Sequence, residues 1–166
     1  ISNSNGRVYE LKTNEAADDY SDLAHFIDVL NNTPTNDLPC ELEKVFNVNS
    51  FLLSMAFDIL TGNWDGPLFN KNNFYLYHNP DRDWFEYIPY DLDNTFGIDW
   101  FGIDWATRDI YAWGHPDEPR PLYSRIMEVP EYKKRFSFFM NQFMTEVYNE
   151  TVLFPRLDAL EAMLAP

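Results

Sequence analysis

Phe74-Tyr75-Leu76-Tyr77-His78, Asn79-Pro80-Asp81-Arg82-Asp83 and Trp84-Phe85-Glu86-Tyr87-Ile88 follow one another, and this stretch decides the architecture. Two runs of aromatic and aliphatic side chains flank a turn rich in Asn, Pro and Asp, which predicts a β-hairpin. Just upstream, Val48, Phe51, Leu52, Met55, Ala56, Ile59 and Leu60 recur at helical spacing. A helix over Asn49–Thr61, buried along most of its length and closed by Gly62, is therefore expected. The loop Asn63–Asn73 joins this helix to the hairpin, and Pro89-Tyr90-Asp91-Leu92-Asp93-Asn94-Thr95-Phe96-Gly97 leaves it.

Further outward the pattern is helical. Tyr20, Leu23, Phe26, Ile27 and Leu30 predict a helix over Asp19–Asn31, stopped by Asn32-Thr33-Pro34, and a shorter one is expected over Cys40–Val45. Downstream, helices are expected over Pro121–Glu128, Glu131–Tyr148 and Leu153–Met163. Arg7–Leu11 reads as a short strand-like piece. Phe96-Gly97-Ile98-Asp99-Trp100 is repeated at once as Phe101-Gly102-Ile103-Asp104-Trp105. A five-residue period repeated twice is too short for a solenoid and reads as a local aromatic loop. The fold expected is one α+β domain over residues 1–166, mostly helical, with one hairpin carrying acidic residues.

Twelve Lys and Arg against 27 Asp and Glu leave a net charge of −15. That balance disfavours nucleic acid and anionic membrane surfaces and favours cations. A single cysteine, Cys40, excludes an internal disulfide and a Cys-rich zinc site. No apolar run approaches the ~18–20 residues of a membrane span. The chain opens Ile1-Ser2-Asn3 without an initiator Met or a signal peptide and reads as a mature or excised fragment.

Asp65, Asp91 and Asp93 are the carboxylates best placed for chemistry. Asp65 follows a buried helix; Asp91 and Asp93, two apart on a chain leaving a strand, would face one side if that chain stays extended. Carboxylate and amide oxygens suit Mg²⁺, and Asn70, Asn72 and Asn73 lie between the two clusters. The order of buried helix, Asp and Asn loop, hairpin and Asp turn is that of protein-kinase-type phosphoryl transfer. The competing reading makes these aspartates turn residues. His25, His78 and His115 are too scattered for a metal triad. The aromatic segment Phe96–Trp113 reads as packing, with a base- or sugar-stacking platform as its alternative.

The blocks Asn63-Trp64-Asp65, Asn73-Phe74-Tyr75-Leu76-Tyr77-His78 and Trp84 through Gly97, with Val8-Tyr9-Glu10-Leu11 and the Val48–Leu60 helix upstream, resemble the CotH (spore coat protein H) kinase family over roughly residues 6–150. The resemblance implies the carboxyl-terminal lobe of an atypical, secreted or surface protein kinase that uses ATP and Mg²⁺ or Mn²⁺ on Ser or Thr of a protein substrate. It implies Asp65 as the catalytic residue that orients the acceptor hydroxyl. Asp91 and Asn73 become metal and nucleotide ligands, and Asp93 a further metal or orienting carboxylate. The stretch between Asp65 and the first strand is a few residues longer than the family pattern, so Asn70 rivals Asn73 for the metal. The small lobe, with its phosphate-covering loop and Lys–Glu pair, has no counterpart here and would lie upstream in the natural chain. The reading from another class is a non-catalytic extracellular module whose carboxylates bind Ca²⁺ and whose aromatic loop contacts a glycan or a protein.

Overall fold

The computed structural model describes residues 9–165, ordered as α1 (Ser21–Asn32), α2 (Leu38–Val45), α3 (Val48–Thr61), β1 (Phe74–Asn79), β2 (Trp84–Pro89), α4 (Pro121–Glu128), α5 (Pro130–Glu146) and α6 (Glu150–Leu164). The fold is α+β, and its one described sheet is the antiparallel pair β1–β2.

α3 is the centre of the core. Asn47 starts it by accepting the Ser50 N–H on its side chain at 3.1 Å. Gly62, at φ 72°, ends it and donates to the carbonyls of Asp58 and Ile59. Val48, Phe51, Leu52, Met55, Ala56 and Ile59 are buried as their spacing requires, and Leu60 is half-buried. α5 packs against α3 through Tyr132, Phe136 and Met140.

The hairpin turns Phe74, Leu76, Phe85 and Tyr87 inward, with Leu76 opposite Tyr87. Phe85 lies 5.4 Å from Phe26, and Tyr87 meets Phe51 edge-on at 5.2 Å. The Asn47 N–H donates to the Phe85 carbonyl at 2.9 Å, which ties the start of α3 to β2. The start of α3 therefore holds β2, and its end leads into the loop that carries Asp65.

Boundaries differ where backbone chemistry intervenes. α1 starts at Ser21 because a 3₁₀ turn at Glu15–Ala17 ends in a left-handed Asp18, and Asp19 then caps the Ser21 N–H at 2.9 Å. Tyr9–Leu11 form no strand; Arg7 and Val8 of that expected piece lie outside the described residues. α6 contains Pro155 and buries none of its residues.

The tandem repeat folds asymmetrically. Trp105 is 6% exposed and Trp100 75%. Asp99, from the first copy, accepts the Trp105 indole N–H at 2.8 Å and the N–H groups of Phe101, Gly102 and Ile103. Trp105 then packs against Phe69 at 4.9 Å and Trp113 at 5.4 Å, so the aromatic segment is packing at its second copy. The buried Arg120 donates through Nε to the Phe69 carbonyl at 2.9 Å, which fastens the Pro-rich connector under the Asp65 loop.

Candidate functional site

Asp65 emerges just past the C-terminus of α3. Its neighbour Trp64 is buried, and the Trp64 indole N–H donates to the Ile98 carbonyl at 2.8 Å. The Asp65 carboxylate is itself 7% exposed and is surrounded by amides. Its Oδ1 accepts from Asn70 Nδ2 at 2.5 Å, with Asn72 Nδ2 further off at 3.5 Å. Its Oδ2 accepts from Asn73 Nδ2 at 2.9 Å and Asn94 Nδ2 at 3.1 Å. A buried carboxylate needs such donors, since leaving it unpaired costs several kcal/mol. Neutral amides fix its orientation without placing a cation between it and an incoming group.

The backbone that delivers these amides is unusual. Lys71, Asn73, Asp91 and Phe96 all have φ between 53° and 59°, the left-handed region that non-Gly residues seldom occupy. Such conformations cluster where the surrounding structure over-determines them. Asn73 is the pivot: its carbonyl accepts the Tyr90 N–H at 3.0 Å, and its Nδ2 also reaches the Asp91 carbonyl at 3.4 Å. The Phe96 N–H donates to the Thr61 carbonyl at 2.7 Å and Thr95 Oγ1 to the Leu92 carbonyl at 3.0 Å. These bonds fold the turn after β2 over the end of α3.

The structure thus brings Asp65, Asn70 and Asn73 together and places the Asp91 backbone beside them. The side chains of Asp91 and Asp93 are exposed. Because Asp91 is left-handed, the chain there is not extended, and the premise that Asp91 and Asp93 share a face does not hold. The residue this turn delivers to Asp65 is Asn94. Among the described residues no three His, Cys, Asp or Glu side chains gather closely enough to hold a metal ion between them. A divalent ion here would draw on few protein ligands, as Mg²⁺ commonly does. The donor set fits that pattern: Asn73 engages Asp65 and Asp91 through Nδ2, which leaves its amide oxygen for a cation, and the Asp91 carboxylate is open. Asn70 contacts Asp65 as well but is exposed, whereas Asn73 is buried and tied to Asp91.

Three residues of the site were not assigned from the sequence. Asn94 lay inside a quoted motif but was overshadowed by its carboxylate neighbours. Asn63 accepts the Asp65 N–H on its Oδ1 at 3.1 Å, and its Nδ2 donates to Asp58 Oδ1 at 2.9 Å. Asp58 is 2% exposed, and its signal was legible: it is the one charged residue of α3. Burial pushes the Asp58 carboxyl up to about 7, against the partial relief of the Asn63 bond. A folded-state pKa above the unfolded value means that the folded protein holds this proton more tightly. The resulting stabilisation is complete below the unfolded carboxylate range near 3.8 and is lost as pH rises through about 7. The melting temperature of Asp58→Asn, which cannot ionise, should rise relative to the wild type between pH 5 and pH 8. Melts across that range check this, and a gap independent of pH would show that Asp58 does not titrate there.

A model of the CotH kinase protein family matches residues 2–166. Inner spore coat protein H of Bacillus subtilis is 27% identical over 158 residues, which cover 95% of this chain and 41% of that protein. Spore coat protein homolog 1 of Rhizopus delemar is 28% identical over 129 residues, 74% of this chain and 20% of that protein. Invasin CotH2 of the same organism is 25% identical over 171 residues, 99% of this chain and 27% of that protein. The chain therefore spans about two fifths or less of these relatives' lengths. With a match over nearly all of its residues, this chain belongs to the CotH kinase protein family.

Proposed function

We propose that the chain is the catalytic lobe of an ATP- and divalent-metal-dependent protein kinase, moving the γ-phosphoryl group to a Ser or Thr hydroxyl of a protein. The observation that carries this reading is the Asp65 carboxylate, buried yet held by four neutral amides, with Asn73 linking it to Asp91. Phosphoryl transfer asks little covalent chemistry of the protein; it asks for positioning and for charge neutralisation.

In this reading Asp65 accepts the hydrogen bond of the acceptor hydroxyl and aims it in line with the phosphorus. The amides of Asn70, Asn73 and Asn94 keep that carboxylate from turning away. Mg²⁺ or Mn²⁺, held by Asp91 and the Asn73 amide oxygen, would neutralise phosphate charge. A groove of about 890 Å³ has Asn72, Asn73, Tyr75, Leu76, Tyr90 and Leu23 among its lining residues. Its size and ring-bearing wall suit a nucleotide. The phosphate-covering loop and its Lys are assigned to sequence outside this chain. We further propose a secreted or cell-surface setting, in keeping with relatives named as spore coat proteins and invasins. No helix among the described residues is long and apolar enough to cross a membrane.

Phe96, Ile98, Trp100 and Phe101 are exposed around the site, which favours, as the second reading, a module that binds Ca²⁺ and contacts a partner through these rings. Calorimetry separates the two. ATP should bind only with Mg²⁺ or Mn²⁺, and Asp91→Asn should weaken metal and nucleotide together by roughly 10–100-fold. Ca²⁺ binding with no response to ATP would overturn the kinase reading.

A further inference from the structure

We propose that Asp58 is a positioning residue of this site, holding Asn63, which in turn holds the backbone of Asp65. The inference rests on the reading of Asp65 as the residue that orients the acceptor hydroxyl.

The geometry is a short relay. Asp58 sits in the last turn of α3, and its carbonyl accepts the Asn63 N–H at 2.7 Å. Its Oδ1 accepts from Asn63 Nδ2 at 2.9 Å, and Asn63 Oδ1 accepts the Asp65 N–H at 3.1 Å. One amide thus donates at one end and accepts at the other. Hydrogen bonds in such a chain polarise each other, so an ionised Asp58 makes Asn63 Oδ1 the stronger acceptor for Asp65. Gly66 lets the loop pass close by: a Cβ there would lie 3.2 Å from Asp58 Oδ2 and 3.7 Å from Asn63 Nδ2.

A carboxyl is a costly choice at this place. Asp58 is buried between Met55 and Ile59 of the same helix, where an apolar side chain would bear no desolvation penalty. α3 supplies no other charge. The loop presents Asn63 and Gly66, with Asp65 just beyond, and β2 presents Tyr87, whose hydroxyl is pushed upward by burial and by Asp58. No cation among these groups repays the burial. Since burial holds Asp58 near neutrality, the relay strengthens as Asp58 ionises between about pH 6 and 8.

The experiment is a ¹H–¹⁵N NMR titration of the chain from pH 5.5 to 8.5, with Asp58→Asn and Asn63→Ala beside the wild type. The Asp65 amide resonance should move with a midpoint near 7 in the wild type and stay flat in both variants, whose spectra remain dispersed. Movement that persists in either variant overturns the relay. Should Asp58→Asn fail to fold, Asn63→Ala decides the question. In a phosphotransfer assay of the protein with any sequence that precedes Ile1 in its gene, Asp58→Asn should lower kcat about tenfold, leave KM for ATP unchanged and remove the step near pH 7 from the kcat profile. An unchanged kcat profile overturns the positioning role. A wild type that transfers no phosphate refutes the assignment of Asp65, while the resonance titration still judges the relay.

Discussion

Asp65→Asn should lower phosphotransfer turnover by ~10²–10⁴, toward the lower end of that range, while ATP binds almost as before. The asymmetry follows from where each group acts. In the proposed function the Asp65 carboxylate would face the acceptor hydroxyl, so its contribution would be made mainly in the transition state, and its loss would fall on kcat. Kinase transition states are loose, and little proton transfer has occurred when the barrier is crossed, which places the effect low in the range. The substitution also puts a fifth amide beside those of Asn70, Asn72, Asn73 and Asn94, where a carboxylate had satisfied them. Part of the loss is therefore local rearrangement, and Asn94→Ala gauges it because it loosens Asp65 without removing it. Initial rates and nucleotide affinity measured for Asp65→Asn and Asp91→Asn decide the division of roles. If Asp65→Asn abolished nucleotide binding as fully as Asp91→Asn, the two aspartates would share one metal site.

The second large effect separates two residues that the sequence presents as equals. Trp105→Ala should destabilise the fold by about 3–5 kcal/mol, as large-to-small changes at buried aromatic positions do. Trp100→Ala should cost about 1 kcal/mol or less, since it forfeits mainly the ring contact with Trp64 at 5.3 Å. Trp105 lies between Phe69 and Trp113, and its indole N–H satisfies Asp99. Removing it opens a cavity beneath the Asp65 loop and takes one of two donors from Asp99 Oδ1, which keeps the Phe101 N–H. For a chain of this size, about 3–5 kcal/mol corresponds to roughly 6–20 °C in melting temperature. Thermal or urea melts of both variants give the comparison; equal losses would mean that the two copies of the repeat share the burial.

The elements were legible wherever one period dominated. α3 was readable because its apolar stripe persists for more than three turns and ends at a glycine. The hairpin was readable because Asn79–Asp83 can only turn. Tyr9–Leu11 misled because a short strand-like piece carries no information on a pairing partner, and these residues form no strand. The repeat concealed its asymmetry because identical pentapeptides carry no information on which tryptophan meets the core. At the site, Asp65 and Asn73 were visible through local order and the family's pattern. Asn94 was not: its role depends on long-range closure, the Phe96 N–H on the Thr61 carbonyl. Asp58 stood out as the one charge of α3, but its role rests on the Asn63 bridge, which the sequence does not display. The expectation that Asp91 and Asp93 share a face failed for a local reason, the left-handed backbone at Asp91.

Whether the amide-held Asp65 serves phosphoryl transfer is decided with γ-labelled ATP and a Ser- and Thr-containing protein acceptor. The protein would be assayed with any sequence that precedes Ile1 in its gene, with Mg²⁺ or Mn²⁺ present or chelated. Label should appear on Ser or Thr only with the metal present and fall by ~10² or more in Asp65→Asn, whereas the 166-residue chain alone should transfer little. No label from the longer protein under any metal, or equal label from wild type and Asp65→Asn, would contradict that role.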